Sequence, residues 1–168
     1  MYTRLHPYYA EHKPVLMHFQ TLEFTELTVQ QLHHIYRLRS AVFVVEQDCV
    51  YQDIDEKDLT ALHLTVHQAA NLIAYCRIIP PDKQKKEVNI GRVLVEKSVR
   101  RRGLGKDLMR YAITEAIARF PLSEIVISAQ CYLQDFYKDL GFNHEGAGYL
   151  EDNIPHIKMR YGVSRGSS

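Results

Sequence analysis

The residue pattern predicts a mixed α/β fold built on one core, and three observations carry that prediction. Apolar, β-branched runs alternate with segments whose apolar residues recur at helical spacing. One run, 90–95, leads through a glycine-punctuated basic loop into a helix. No internal repeat or low-complexity linker divides the chain, and 168 residues with 46% hydrophobic content suffice for a single domain that buries roughly 70% of its unfolded surface.

Taken in order, residues 1–16 mix Tyr, His, Pro and Lys without a period and are expected to form a flexible N-terminal extension, with Met17 a second candidate start. A weakly alternating strand is expected over 18–26. Thr28 opens a helix: its hydroxyl and Gln31 three residues on make a capping-box pattern, and Leu32, Ile35, Tyr36, Val42 and Phe43 mark one face to about residue 43. Segment 43–58 turns abruptly from apolar to acidic and reads as a loop-rich bridge. In the strand 62–67, Leu62, Leu64 and Val66 face one way and His63, Thr65 and His67 the other; Gln68-Ala69-Ala70-Asn71 is a hairpin turn into 72–79.

Residues 80–86 read as a solvated loop, and the strands on either side of it, the second over 87–95, are expected to be antiparallel neighbours. A helix over 104–119 carries Leu104, Leu108, Ala112, Ile113, Ala116 and Ile117 on one face and stops at Phe120-Pro121. A strand over 124–130 precedes a helix with Leu133, Phe136, Tyr137 and Leu140 on one face, and Gly141 stands where a C′ glycine belongs. Two last strands, near 142–148 and 155–161, flank the turn Glu151-Asp152-Asn153, and 163–168 is a tail. The domain therefore spans 17–162.

A net charge of +1 offers no field for nucleic acid or an anionic membrane, so the cluster Arg100-Arg101-Arg102 is a local device. No apolar run approaches the ~18 residues of a bilayer span, and the first residues lack the apolar stretch of a signal peptide, so a cytoplasmic protein is expected. Cys49, Cys76 and Cys131 are odd in number and widely spaced, which suits a reducing compartment and small buried hydrophobes rather than nucleophiles. His63 and His67, on one strand without a third ligand, give no metal site. His156, on a late strand near any acceptor pocket, is expected to be a satisfied structural histidine.

The stretch from Val93 to Lys106 binds phosphate by its construction: Gly103 and Gly105 let backbone N–H groups turn inward at a helix start, and basic residues add charge. It is no Walker A loop, because Asp107 follows Lys106 where a hydroxyl should bind metal and no glycine stands five residues before Gly105. A dinucleotide fingerprint fails at Leu108, which replaces the third glycine, and at the basic run between strand and glycines. The residues Arg100-x-x-Gly103-x-Gly105 after an apolar strand resemble instead the Q/R-x-x-G-x-G/A signature of the GNAT acetyltransferases. A second block, Gln130 through Tyr137 to Gly141-Phe142, is similar to the family's N-x(6)-Y-x(3)-G-F pattern, with Gln130 in place of asparagine. Leu38-Arg39-x-Ala-Val42-Phe-Val-Val-Glu46-Gln47-x-Cys49-x-Tyr51-Gln-Asp53-Ile-Asp55, Gly91-Arg92-Val93 and Ile154-Pro155-His156-Ile157 resemble the ElaA-type branch, over about residues 24–161.

This resemblance implies the GNAT acyl-CoA N-acyltransferase fold, a mixed, mostly antiparallel sheet of six or seven strands flanked by helices. It implies acetyl-CoA as co-substrate and an acetyl group passed to a primary amine, of a small molecule or a peptide, by direct attack through a tetrahedral intermediate. The backbone of Val93, Leu94 and Val95 would pair with the pantetheine arm, and the Val95 N–H would meet the thioester oxygen. Arg100, Arg101, Arg102, Gly103, Leu104, Gly105 and Lys106 would hold the pyrophosphate with Gln130 nearby, and Tyr137 would protonate the departing thiolate. Relatives that use a glutamate base on the strand before the Tyr helix have it near Ile125, which is apolar here, so Glu46 is the candidate base. Asp48, Asp53, Asp55, Glu56 and Asp58 would favour a cationic amine. Two alternatives stand beside this: an acyl-homoserine-lactone-synthase-like acyltransferase, since Arg39-x-x-Val42-Phe43 also resembles the start of that family, and an acetyl-CoA-binding module without turnover. Oligomeric state is open, a homodimer included.

Overall fold

The computed structural model describes residues 2–4, 16–82 and 84–162. In chain order the strands are β1 (Tyr2–Arg4), β2 (Met17–Glu23), β3 (Leu62–Gln68), β4 (Asn71–Ile79), β5 (Glu87–Val95), β6 (Glu124–Gln130), β7 (Phe142–Glu151) and β8 (Ile154–Tyr161). The helices are α1 (Val29–Arg39), α2 (Leu104–Arg119) and α3 (Gln134–Lys138). The strands form one sheet in the order β1-β2-β3-β4-β5-β6-β8-β7, antiparallel throughout except for the β5/β6 pair. The seven strands from Met17 onward make the mixed sheet the sequence predicts. Inside the stretch expected to be an extension, β1 pairs with β2 through Tyr2↔Phe19 to Arg4↔Met17, while residues 5–15 and the 163–168 tail lie outside the described residues.

Each face of the sheet is covered because each element presents one apolar side. Leu104, Leu108, Met109, Ala112, Ile113 and Ala116 of α2 are buried against a core that includes Leu64, Ile78, Ile90 and Ile127. Ile117, expected on that face, is half exposed at the helix's rear. On the other face Ile35 and Val42 pack on Tyr75 and Leu94. Thr28 caps α1 as its sequence indicates: its Oγ1 accepts from the Gln31 N–H at 3.2 Å, and its own N–H donates to Gln31 Oε1 at 2.9 Å.

Several boundaries differ from the sequence reading: β7 runs past 148 to Glu151, the hairpin turn narrows to Ala69-Ala70, and two further differences lie at the first elements. The strand expected over 18–26 ends at Glu23, because the Glu26 carboxylate accepts from the Glu23 N–H at 2.8 Å and closes a 3₁₀ turn over Phe24–Glu26. The α-helix stops at Arg39 and widens into a π-helical turn over Ser40–Glu46. This stretch holds Val42, Val44 and Val45, whose branched side chains crowd a tight helical turn. The wider winding buries Val42 and carries Glu46 to the edge of the sheet's open seam.

The acidic bridge is folded inward rather than solvated. Arg39, fully buried, donates from Nε to Asp53 Oδ2 at 2.9 Å and from a terminal nitrogen to Asp58 Oδ1 at 2.6 Å. Arg77 reaches Asp58 at 2.7 Å and both oxygens of Asp55 at 2.6 and 2.8 Å. Arg92 donates from Nε to Asp53 Oδ1 at 2.6 Å. Three carboxylates thus meet three guanidinium groups, and the cluster closes near neutrality. His63 sits under it, with Nε2 donating to the Asp58 carbonyl at 2.9 Å and Nδ1 accepting from the Tyr75 hydroxyl at 2.9 Å.

Removing one partner from such a buried cluster strands the opposite charges, so Asp53→Ala should cost about 3–5 kcal/mol in urea unfolding; a loss under 1 kcal/mol would show the pairs to be dispensable. The cluster also sets an acid limit. Burial alone would raise the Asp58 and Asp55 carboxyls, but hydrogen bonds from Arg39 and Arg77 to Asp58, and from Arg77 to Asp55, outweigh it and both are lowered. Burial lowers His63 as well. Each of these groups binds its proton more readily in the unfolded chain, so stability falls as pH falls. The urea midpoint should hold from pH 8 to 7, drop once pH passes about 6.5 as unfolded histidine charges, and drop further below about 4 as unfolded carboxylates protonate. A midpoint constant from pH 7 to 5 would contradict the His63 contribution.

Candidate active site

The site begins as a defect in sheet pairing. β5 and β6 are parallel neighbours only at Glu87↔Glu124, Val88↔Ile125 and Asn89↔Val126, after which they diverge. The cause lies in β5: Arg92 has φ +53°, and the register with β4 shifts between Tyr75↔Leu94 and Arg77↔Gly91, a bulge that bends the strand. A non-glycine residue with positive φ needs outside support. Arg92 receives it from Asp53, through the carboxylate and through its carbonyl at 3.1 Å. The divergence opens a cleft of about 1450 Å³ that runs from the loop before α2 to the turn between β7 and β8.

Val93, Leu94 and Val95 line that cleft as an unpaired strand edge. The Glu96 N–H donates to the Ile73 carbonyl on β4 at 2.8 Å. Successive amides along a strand point to opposite edges, so the N–H and carbonyl of Val95 face the open side. The carbonyl is taken by Arg100 Nε at 2.8 Å, and the N–H is left toward the cleft. An extended ligand chain with alternating amides fits such an edge as an added strand.

At one end of the cleft stands the loop. Arg101 has φ +63° and Gly103 φ +83°, and Gly103 caps α2 without a side chain. As at any helix start, the Leu104 and Gly105 N–H groups have no partner within the helix. Arg101, Gly103, Gly105 and Lys106 line the cleft, and so does the backbone at Leu104, whose side chain is buried. Arg102 is exposed. A Cβ built on Gly105 would meet Phe136 and Val95 side chains at 3.6–3.7 Å, ordinary contact, which explains why a family signature admits alanine at this place while Gly103 needs its left-handed backbone. The loop's shape, free amides and positive charge suit a pyrophosphate.

Arg100 is placed differently from its neighbours. Beyond its bond to Val95, its guanidinium makes a two-point ion pair with Glu46 at 2.5 and 3.0 Å. It therefore fastens the end of β5 to the end of the π-turn instead of projecting toward an anion. The same pair bears on Glu46, which reaches the cleft as the sequence reading requires: the hydrogen bond from Arg100 holds its carboxyl below the usual range and makes it a weak proton acceptor. Tyr137 lines the cleft from α3 and is itself buried, edge-on to Phe136 and Phe142. Burial pushes its phenol up, so it is protonated at neutral pH. Gln130, at the end of β6, donates to Gln47 Oε1 at 3.4 Å and joins the cleft wall to the bridge.

The far end of the cleft corrects the expectation of an acidic attractor, since Asp53, Asp55 and Asp58 are spent on arginines. It is lined instead by Ser128, Glu151, Asp152 and His156. Ser128 was legible in principle: in β6 the apolar Ile127 and Ala129 alternate with Ser128 and Gln130, which places both polar side chains on one face. Of the cysteines, Cys76 is buried as expected, but Cys131 is exposed and the Cys49 thiol lies 3.7 Å from the Asp152 carbonyl. Among the described residues no three or more His, Cys, Asp and Glu side chains gather to hold a metal, and no helix is long and apolar enough to cross a membrane.

The sequence matches the family model described as an acetyltransferase (GNAT) domain over residues 24–163. A UPF0039 protein of Schizosaccharomyces pombe is 44% identical over 139 residues, covering 82% of this chain and 91% of that protein. Protein ElaA of Escherichia coli is 40% identical over 146 residues, covering 86% and 95%. The crystal structure of E. coli ElaA superposes with a TM-score of 0.83 at 39% identity, over 87% of this chain and 99% of that one. An acyl-CoA N-acyltransferase from Pseudomonas aeruginosa superposes with a TM-score of 0.82 at 37% identity, over the same shares. The chain therefore belongs to the GNAT acyltransferase superfamily, in its ElaA-like branch.

Proposed function

We propose that this protein is an N-acetyltransferase that passes the acetyl group of acetyl-CoA to a primary amine by direct attack. The observation that carries the reading is the pairing, across one cleft, of an outward-facing strand amide at Val95 with a buried, protonated phenol at Tyr137. Val93, Leu94 and Val95 offer the pantetheine arm a strand edge. Gly103, Leu104 and Gly105 offer backbone N–H groups to the pyrophosphate, with Arg101, Arg102 and Lys106 supplying charge. Lys106 is held by Asp139 at 2.9 Å on the surface; exposed pairs of this kind contribute about 0–1 kcal/mol, so a phosphate can compete for the amine.

Acetyl-CoA brings the thioester carbon to the mouth of the seam. As the amine nitrogen attacks, negative charge builds on the thioester oxygen, where the Val95 N–H stabilises it; one such donor is commonly worth about 3 kcal/mol. The carbon–sulfur bond then breaks and Tyr137 gives its proton to the thiolate. No side chain need form a bond to the acetyl group, in keeping with a Cys76 thiol pushed up by burial and so held unreactive. In this scheme Glu46 and Arg100 are positioning residues, because together they fix the Val95 carbonyl and with it the direction of the Val95 amide.

Tyr137→Phe should keep acetyl-CoA affinity within about threefold and lower turnover about 10²-fold in a free-thiol release assay against a panel of amines; unchanged turnover would remove Tyr137 from its role. Gly103→Val should act on the other half of the reaction. A β-branched residue at φ +83° costs about 1–2 kcal/mol of strain, and the loop that escapes it loses its amide geometry. Calorimetric titration should show acetyl-CoA affinity falling tenfold or more while the chain stays folded, and undiminished affinity would separate the loop from the cofactor.

A further inference from the structure

His156 carries a feature that a structural histidine does not need. Its Nδ1 lies 2.8 Å from the Ile154 carbonyl, which can only accept, so Nδ1 bears the hydrogen. In the neutral ring Nε2 then holds a lone pair, and it has no hydrogen-bond partner among the described residues. The ring is half-buried and lines the cleft. On β8 it stands opposite Gln130 of β6 and Tyr149 of β7, on the face where Gln130 reaches across to the bridge.

Its orientation is fixed by a chain of contacts. Tyr149 stacks on the imidazole with centroids 6.3 Å apart and planes at 24°. The Tyr149 hydroxyl donates to Ser128 Oγ at 2.5 Å, and Ser128 in turn donates to Glu151 Oε2 at 2.7 Å. The ionisable groups on the elements around the ring are Tyr149 and Glu151 of β7, Asp152 of the turn, Lys158 of β8, which is paired with Glu87, and Glu46 and Cys49 of the facing bridge. β6 presents the neutral Ser128 and Gln130 nearest the ring, and Glu124, farther along the same face, is paired with Arg160 of β8. Glu46 is committed to Arg100, so His156 is the proton acceptor at this end of the cleft that is both oriented and unclaimed.

Building on the reading of the site as an amine acetyltransferase, we infer that His156 is the general base that deprotonates the acceptor, and that the acceptor class is therefore alkylamines that arrive as ammonium ions. Nε2 takes one proton from R–NH₃⁺, and the freed nitrogen lone pair forms the bond to the thioester carbon. The electrons of the C=O bond move to oxygen and return as the C–S bond breaks. The thiolate takes the Tyr137 proton, Tyr137 recovers one from the new amide nitrogen, and His156 releases its proton to solvent. One ammonium and one thioester give one amide, one thiol and one proton.

The test compares His156→Gln with the wild type on two acceptors, a primary alkylamine and hydroxylamine, which is already neutral at pH 7, with acetyl-CoA affinity and thermal midpoint measured alongside. The variant should lose about 10²-fold in kcat/KM for the alkylamine at pH 7 and recover as pH rises toward 9, while hydroxylamine loses less than fivefold and acetyl-CoA affinity is unchanged. Equal losses on both acceptors, or a pH profile that the substitution leaves unaltered, would overturn the role of His156 and leave the acetyltransferase reading standing. A wild-type protein that binds acetyl-CoA and acetylates neither amine would overturn both.

Discussion

The carboxylate of Asp53 is the point on which the architecture turns. It joins Arg39 at the end of α1 to Arg92 in the bulge of β5, and its backbone carbonyl is held by the same two side chains. The first link anchors the bridge beneath the helix; the second holds Arg92 in a backbone conformation that an isolated strand would abandon. Without that bulge β5 would run alongside β6 to its end, and the seam would be closed by backbone hydrogen bonds. The buried charges are therefore chiefly a device for geometry. Their desolvation cost is recovered only because nearly every guanidinium and carboxylate atom is paired, Arg77 Nε being the buried exception among them.

The legible and illegible parts of the sequence divide along this line. The run from β5 through the loop into α2 could be read because it is local: a β-branched strand, glycines at a turn and a helical period follow one another between Glu87 and Arg119, and the structure places α2 at Leu104–Arg119 as the period requires. The Thr28 cap and the left-handed turn at Gly141, with φ +93° one residue beyond the expected C′ place, are local in the same sense. The acidic bridge was illegible because its partners are remote. Asp53 is 39 residues from Arg92 and Asp58 is 19 from both Arg39 and Arg77, so nothing near them in sequence marks them as buried. A solvated acidic loop and a buried ion cluster have the same composition.

Glu46 and Arg100 show the same limit at the level of roles. Each belongs to a stretch whose neighbours point to function, and each is 54 residues from the partner that redirects it. The pair makes one residue a poor base and removes the other from the anion loop, yet in doing so it holds the Val95 carbonyl and with it the direction of the Val95 amide. His156 went the opposite way. Its Nδ1 is satisfied by a carbonyl two residues back, a contact that looks structural, but that contact fixes the tautomer and leaves the other nitrogen for chemistry.

The seam has a mechanical meaning as well. Only three backbone-paired residue pairs join the β1–β5 half of the sheet to the β6–β8–β7 half, and Lys158 and Arg160 of β8 add side-chain bonds to Glu87 of β5 at 2.8 and 2.9 Å. The sheet is thus two antiparallel plates hinged along one short parallel edge, braced by α2, by the Glu87 ion pairs at the closed end and by the amide contact from Gln130 to Gln47 toward the open end. An extended ligand in the wedge acts as the missing strand between the plates. Its binding energy then appears as cooperativity between two units that would otherwise open independently, and amide exchange in β6 and β8 would become coupled to that in β4 and β5. On the proposed reading, the substrate would complete the sheet it is bound by.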